Sequence, residues 1–151
     1  GDREKAYTAG ILHDVMKEAD GNFQLQILSD NGIILDMVSQ NAERLWHAKS
    51  GAAFCKYILG IDDEDIINAI SYHTTARAGM SPLEKAVYLA DYIGEDRDYP
   101  GVEQMRAAVE KSEECGMEFS LKFSITDLVN RNKPVHPDTV DAFNELFLKK
   151  R

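Results

Sequence analysis

Ser81-Pro82-Leu83-Glu84-Lys85-Ala86-Val87-Tyr88-Leu89-Ala90-Asp91 is a helix that announces its own start. Serine followed three residues later by glutamate makes a capping box, in which each side chain satisfies a backbone N–H near the other residue. Proline at the first helical position costs nothing there, because that N–H has no partner in any helix. The helix therefore begins at Pro82, and Leu83, Val87 and Ala90 recur on one apolar face. Asp91 adjoins that face, where an ionised carboxylate is costly unless it is paired or bound to a metal.

Working outward, apolar residues keep helical spacing along most of the chain and no run alternates long enough for a half-buried strand, which makes the fold all-α. Ala6, Ala9, Leu12, His13 and Met16 describe a first helix, with Asp2 as its N-cap and Glu4 in its first turn. A weaker segment over 24–29 runs into the turn Asp30-Asn31-Gly32. From Asn41, the residues Leu45, Ala48, Ala52, Cys55 and Leu59 make one stripe that Gly60 stops. Asp62 is read as the cap of the next helix, on which Ile66, Ile70 and His73 share a face. Beyond the quoted helix, Tyr99-Pro100-Gly101 is a turn, 102–114 an exposed amphipathic helix, and Gly116 precedes a helix reaching about Asn130. A last helix from Pro137 turns Val140, Phe143, Leu146 and Phe147 inward.

With 151 residues, 44% of them hydrophobic, the chain can bury one substantial core and is read as a single domain without repeats or linkers. A formal net charge of −9 provides no basic face, which disfavours nucleic acid as a partner. It does not exclude an anionic small molecule, since bound cations and a few well-placed Lys or Arg residues reverse a local field. Cys55 and Cys115 lie far apart, support neither a disulfide framework nor a thiolate zinc site, and are read as buried thiols. No stretch is apolar enough to span a membrane and no signal peptide opens the chain, so the expected location is the cytoplasm.

Three of the four histidines share the situation of Asp91. His13 precedes Asp14 on the first apolar face, His47 follows Trp46 beside the Leu45–Ala48–Ala52 stripe, and His73 continues the face of Ile66 and Ile70. A single histidine on an apolar face is more often a satisfied core residue than a ligand. Three histidines and two carboxylates so placed reverse that preference. Imidazoles mixed with carboxylates suit borderline first-row metals, Fe, Mn, Co, Ni or Zn, better than calcium. His13, Asp14, His47, His73 and Asp91 are thus the candidate ligands. His136 precedes Pro137 at a helix start, and capping accounts for it without a metal. Tyr99 and Phe123 could stack on a base, but aromatics at such spacings are more often core, and they are read so.

Ala9-Gly10-Ile11-Leu12-His13-Asp14, Trp46-His47, Tyr72-His73-Thr74-Thr75 and Leu89-Ala90-Asp91-Tyr92 resemble the ordered H, HD, H, H, D signatures of HD-domain phosphohydrolases, apart from the first. More narrowly, Tyr72-His73-Thr74-Thr75-Ala76-Arg77-Ala78-Gly79-Met80-Ser81, Tyr88-Leu89-Ala90-Asp91-Tyr92-Ile93, Arg97-Asp98-Tyr99-Pro100-Gly101-Val102 and Val135-His136-Pro137-Asp138-Thr139 resemble the symmetrical diadenosine tetraphosphatase family called YqeK. The resemblance spans nearly the whole chain. It implies an HD-domain helical bundle with a metal centre in its core, two metal ions, commonly iron, and the same five residues as ligands with Asp14 bridging. It also implies an earlier histidine on a preceding helix, so the domain is expected to lack here an N-terminal helix that the family has.

The implied reaction is hydrolysis of a dinucleoside tetraphosphate to two nucleoside diphosphates by metal-activated water. A broader nucleotidase or phosphodiesterase, or an inactive nucleotide-binding module, is the alternative. Asp14 and Lys17 are expected at the chemistry, Lys17 lying one helical turn after His13. Lys17, Thr74, Thr75, Arg77 and Arg97 are expected to hold phosphate through hydroxyls and cations. The expected partners are a nucleotide polyphosphate, no nucleic acid and no membrane, with a homodimer left open.

Overall fold

The computed structural model describes residues 2–149 and contains helices and turns, with no strand among the described residues. Its helices are α1 (Asp2–Leu12), α2 (Gly21–Asp30), α3 (Met37–Gln40), α4 (Trp46–Ala53), α5 (Glu64–Ser71), α6 (Pro82–Ile93), α7 (Val102–Lys111), α8 (Glu113–Asn130) and α9 (Pro137–Leu148). A 3-10 turn over Glu43–Leu45 precedes α4, and a π-helical turn over Phe54–Ile58 follows it.

α6 is the middle of the fold. Ser81 Oγ accepts from Glu84 N–H at 3.1 Å and Ser81 N–H donates to Glu84 Oε2 at 2.9 Å, completing the capping box with Pro82 just inside it. Val87 enters one core cluster with Ala52, Cys55, Ile66 and Ile70. Its neighbours Tyr88 and Leu89 enter another with Met117, Leu121 and Ala142. α6 thus joins α1 and α5 on one side to α7 and α8 on the other, and holds Asp91 between them. A third cluster under α2, built on Met16, Ile27, Leu28 and Ala53, supports the turn after α1.

Several boundaries differ from the sequence reading. α1 ends at Leu12, and 13–18 form hydrogen-bonded turns (Val15 N–H to Leu12 O, 3.1 Å; Lys17 N–H to Asp14 O, 3.0 Å) in place of further helix. The stripe from Leu45 holds to Cys55, but the π turn inserts extra arc, so Leu59 swings out to 49% exposure before Gly60 reverses the chain at φ 74°. α5 is capped by Asp63, whose carboxylate accepts from the N–H groups of Asp65 and Ile66, and not by Asp62. Gly116 lies inside α8, where an added Cβ would stand 3.0 Å from Val109 and 3.2 Å from Leu89, so its bareness sets how closely α8 packs on α7 and α6. α9 buries Thr139 and Ala142 and packs Phe143 and Leu146 against the core, leaving Val140 exposed. Cys55 is buried, whereas Cys115 is only partly so; both are free thiols.

Candidate metal centre

Four helix ends converge on one point. His13 and Asp14 follow the last residue of α1, His73 lies two residues past α5, Asp91 sits in the last turn of α6, and His47 is in the first turn of α4. Three of these are C-terminal ends, whose backbone dipoles favour positive charge. A cation held there is helped by the fold before any side chain is counted.

The side chains meet closely. His13 Nε2 stands 3.0 Å from Asp91 Oδ1 and 3.3 Å from Asp14 Oδ2. His47 Nε2 and His73 Nε2 stand 3.3 and 3.2 Å from Asp14 Oδ1, and 3.1 Å from each other. Two groups of three donors result, Asp14–His47–His73 and His13–Asp14–Asp91, each with its ligand atoms within 4.8 Å of one another. Asp14 belongs to both and gives a different oxygen to each. His73 is buried outright, while Asp14 and Asp91 are half-buried and open toward solvent.

The tautomers are set by the backbone. Nδ1 of His13, His47 and His73 lies 2.7, 3.0 and 2.7 Å from the carbonyl oxygens of Gly10, Arg44 and Ile70. A carbonyl can only accept, so Nδ1 carries the proton, and in each neutral ring the Nε2 lone pair points at carboxylate oxygens or at another Nε2. Acceptors gathered at about 3 Å with no hydrogen between them repel unless a cation is shared among them. This donor set therefore fits a divalent metal. His136 has the reverse tautomer: Nδ1 accepts from Asp138 N–H at 3.0 Å as the cap of α9, and Nε2 donates to Asp36 Oδ2 at 2.7 Å.

The electrostatics agree with a cation-ready centre. The Asp91 carboxylate beside Nε2 raises the His13 pKa, with burial working against it. Burial lowers that of His47, assisted by His73. For Asp14, the contact with His73 outweighs burial, and with the charges of His13 and Lys17 it holds the carboxyl well below the ordinary range. Lys17 is exposed and acts on the centre through its field.

The phosphate-binding expectations divide. A cleft of about 350 Å³ opens beside the centre, lined by His73 and Asp91 and also by Thr74 and Arg97. Thr75 and Arg77 are committed elsewhere. The chain turns at Ala76 (φ 62°), Thr75 is buried with its hydroxyl on the Ala76 carbonyl at 2.9 Å, and its own carbonyl accepts from Thr139 at 2.7 Å. Arg77 Nε and Nη2 donate to Glu84 Oε1 and Oε2 at 2.7 and 3.1 Å, and its guanidinium lies 4.4 Å from the Tyr72 ring centroid. A guanidinium so engaged has no free fork to offer phosphate. The sequence reading passed over Arg44 and Arg131 and assigned Tyr99 and Phe123 to the core, yet all four line this cleft. The recurrence at intervals of four of Phe123 and Asp127 on α8 and Arg131 at its C-terminal cap was the available signal.

Comparison with known proteins agrees with this geometry. The HD domain family matches residues 1–96, which contain all five converging residues. The chain is 38% identical over 150 residues to the symmetrical bis(5'-nucleosyl)-tetraphosphatase of Halalkalibacterium halodurans, covering 99% of this chain and 80% of that one. It is 39% identical over 145 residues to the protein of the same description from Bacillus subtilis, covering 96% and 77%. Among solved structures, a predicted HD superfamily hydrolase involved in NAD metabolism from Clostridium acetobutylicum superposes with a TM-score of 0.91 at 35% identity, covering 97% of this chain and 77% of that one.

Proposed function

From the premise that this chain belongs to the HD-domain family and, within it, to the symmetrical bis(5'-nucleosyl)-tetraphosphatases, we propose that it hydrolyses diadenosine tetraphosphate to two ADP at the His13–Asp91 centre. One observation carries the reading: three Nε2 lone pairs and two carboxylates converge in two donor groups that share Asp14. Asp14, His47 and His73 would hold one divalent ion, and His13, Asp14 and Asp91 the other. Metal ions so held supply a water of lowered pKa and charge compensation for the phosphate oxygens.

The chain's own residues do the rest. The carbonyls of Gly10, Arg44 and Ile70 accept from Nδ1–H and so keep each Nε2 deprotonated and aimed at the site. Lys17, Thr74 and Arg97 bind and orient the polyphosphate, Lys17 by its field at Asp14 and the other two from the cleft wall. Thr75 and Arg77 support the site by fixing the loop between α5 and α6.

Iron is the metal proposed, as the family resemblance implies; the nitrogen and oxygen donors would equally fit manganese, cobalt, nickel or zinc. The His13 position has one imidazole against two at the other. A further histidine contributed from outside residues 1–151 would even the two, and is part of the proposal. No helix among the described residues is long and apolar enough to cross a membrane. We place the protein in the cytoplasm, in keeping with its free thiols.

The test is product analysis. Metal-loaded protein given diadenosine tetraphosphate should yield ADP alone, in twice the amount of substrate consumed. Activity confined to monophosphates or cyclic nucleotides would overturn the assignment.

A further inference from the structure

Resting on that reading of the centre, we propose that Tyr99 and Phe123 form the platform for one nucleobase of the substrate, and that its spacing from the centre selects the phosphoanhydride bond that is cut.

The cleft that reaches His73 and Asp91 is also walled by Tyr99 and Phe123, both half-buried. Aromatic side chains packed for stability bury their faces, whereas these two keep surface on a cavity bordering the metal donors. They are held in place before any ligand arrives. The Tyr99 hydroxyl donates to the Tyr92 carbonyl at 2.6 Å, and Tyr92 meets Phe123 edge to face at 6.4 Å between centroids. Tyr99 and Phe123 stand 5.2 Å apart and are inclined by 48°, so they form a bent wall and are not stacked on each other. A ring wall of this kind stacks on any base, because every base has a π face.

Size and charge agree. A volume of about 350 Å³ is near the lower end of small-molecule sites, enough for one nucleoside with its nearest phosphates and too little for two nucleosides. Arg97 and Arg131 line the same cleft and can meet those phosphates. Among the described residues Arg131 pairs with Asp127, at 3.3 Å between largely exposed groups, an ion pair weak enough to exchange for phosphate. The platform also lies outside the residues that match the HD domain, while the metal donors lie inside them. Base recognition is thus carried by structure separate from the hydrolytic centre.

A base anchored at one point and a centre fixed at another set the number of phosphates between them. Attack at the central anhydride joins the oxygen of water to one phosphorus, leaves the bridging oxygen on the other, and gives two nucleoside diphosphates. One bond nearer the anchor, the same hydrolysis gives a monophosphate and a triphosphate. Loss of the anchor should loosen this register.

The experiment uses the metal-loaded full chain and its Tyr99→Leu and Phe123→Leu variants, with Phe123→Tyr as a ring-retaining control. Calorimetry measures binding of ADP and of inorganic pyrophosphate, and chromatography measures the products from diadenosine tetraphosphate. ADP affinity should fall about tenfold or more in the leucine variants and recover in Phe123→Tyr, the size of one lost base–ring stack. Pyrophosphate affinity should hold, and AMP with ATP should rise above trace. Unchanged ADP affinity in folded leucine variants overturns the platform, as does an equal loss for ADP and pyrophosphate, which would mark the rings as scaffolding. Wild-type protein that cleaves no diadenosine tetraphosphate overturns the tetraphosphatase reading instead, and the register with it.

Discussion

Arg77→Ala should cost stability first and catalysis second. The guanidinium donates twice to Glu84, a carboxylate only 2% exposed that also accepts from Ser81 N–H at the start of α6. Removing the arginine leaves that buried carboxylate with the single donor of its own capping box. Breaking a fully buried pair costs ~3–5 kcal/mol; because the Arg77 side chain is 29% exposed, the figure here should be ~2–3 kcal/mol. For a domain of this size that is a fall in Tm of roughly 5–10 °C. Thermal and urea unfolding measure it directly, with Glu84→Gln as a companion variant of similar direction. A smaller loss of kcat/KM should follow from looser placement of α6 and Asp91. The refuting result is an unchanged Tm with turnover on the tetraphosphate falling by orders of magnitude, since Arg77 would then be contacting phosphate and its pairing with Glu84 would be incidental.

Asp14→Ala should abolish metal binding and turnover together by elemental analysis and product assay, because both donor groups contain that carboxylate; Lys17→Ala should keep the metal and lower turnover ~10–100-fold, since it acts on charge alone. Metal titration followed by calorimetry should resolve two affinities for a first-row metal, the tighter lost in His47→Ala and the weaker in Asp91→Ala, because imidazole-rich sites hold such metals better; two equal affinities would remove the distinction. Asp36 offers a pH test. Burial pushes its pKa up, but the Ser39 N–H, His136 and the Ser39 hydroxyl outweigh that and hold it at about 2. A folded pKa below the unfolded value means stability that is full above about pH 4 and lost as the pH falls toward 2. The stability difference between wild type and Asp36→Asn should therefore be constant from pH 5 to 7 and shrink toward pH 2, as read from urea midpoints; a difference that grows on acidification would show the sign to be wrong.

How much of this could be read from the chain depended on how local the cause was. The capping box of α6 is complete within four residues, and the structure reproduces it atom for atom. The convergence of His13, Asp14, His47, His73 and Asp91 was legible because an ionisable group on an apolar face is anomalous wherever it occurs. Arg77 was not legible: whether its guanidinium meets a phosphate or Glu84 turns on the positive φ of Ala76, which no spacing rule anticipates. Tyr99 and Phe123 failed for a related reason, since the same residues at the same spacing make either a core or a cleft wall, depending on how closely α8 approaches the loop after α6.

One further signal lies between these extremes. Each histidine of the centre gives Nδ1–H to the carbonyl three residues before it, Gly10, Arg44 and Ile70, a bond available at the end of a helical turn. His136 stands at a helix start, where the free N–H groups lie ahead of it, and its Nδ1 accepts from Asp138 instead. A helical turn just before the histidine, α1 for His13, α5 for His73 and the 3-10 turn Glu43–Leu45 for His47, thus decides which ring nitrogen keeps the proton, and hence whether Nε2 presents a lone pair to a metal. That places His13, His47 and His73 on one side of the divide and His136 on the other, for a reason that reaches no further than the neighbouring turn.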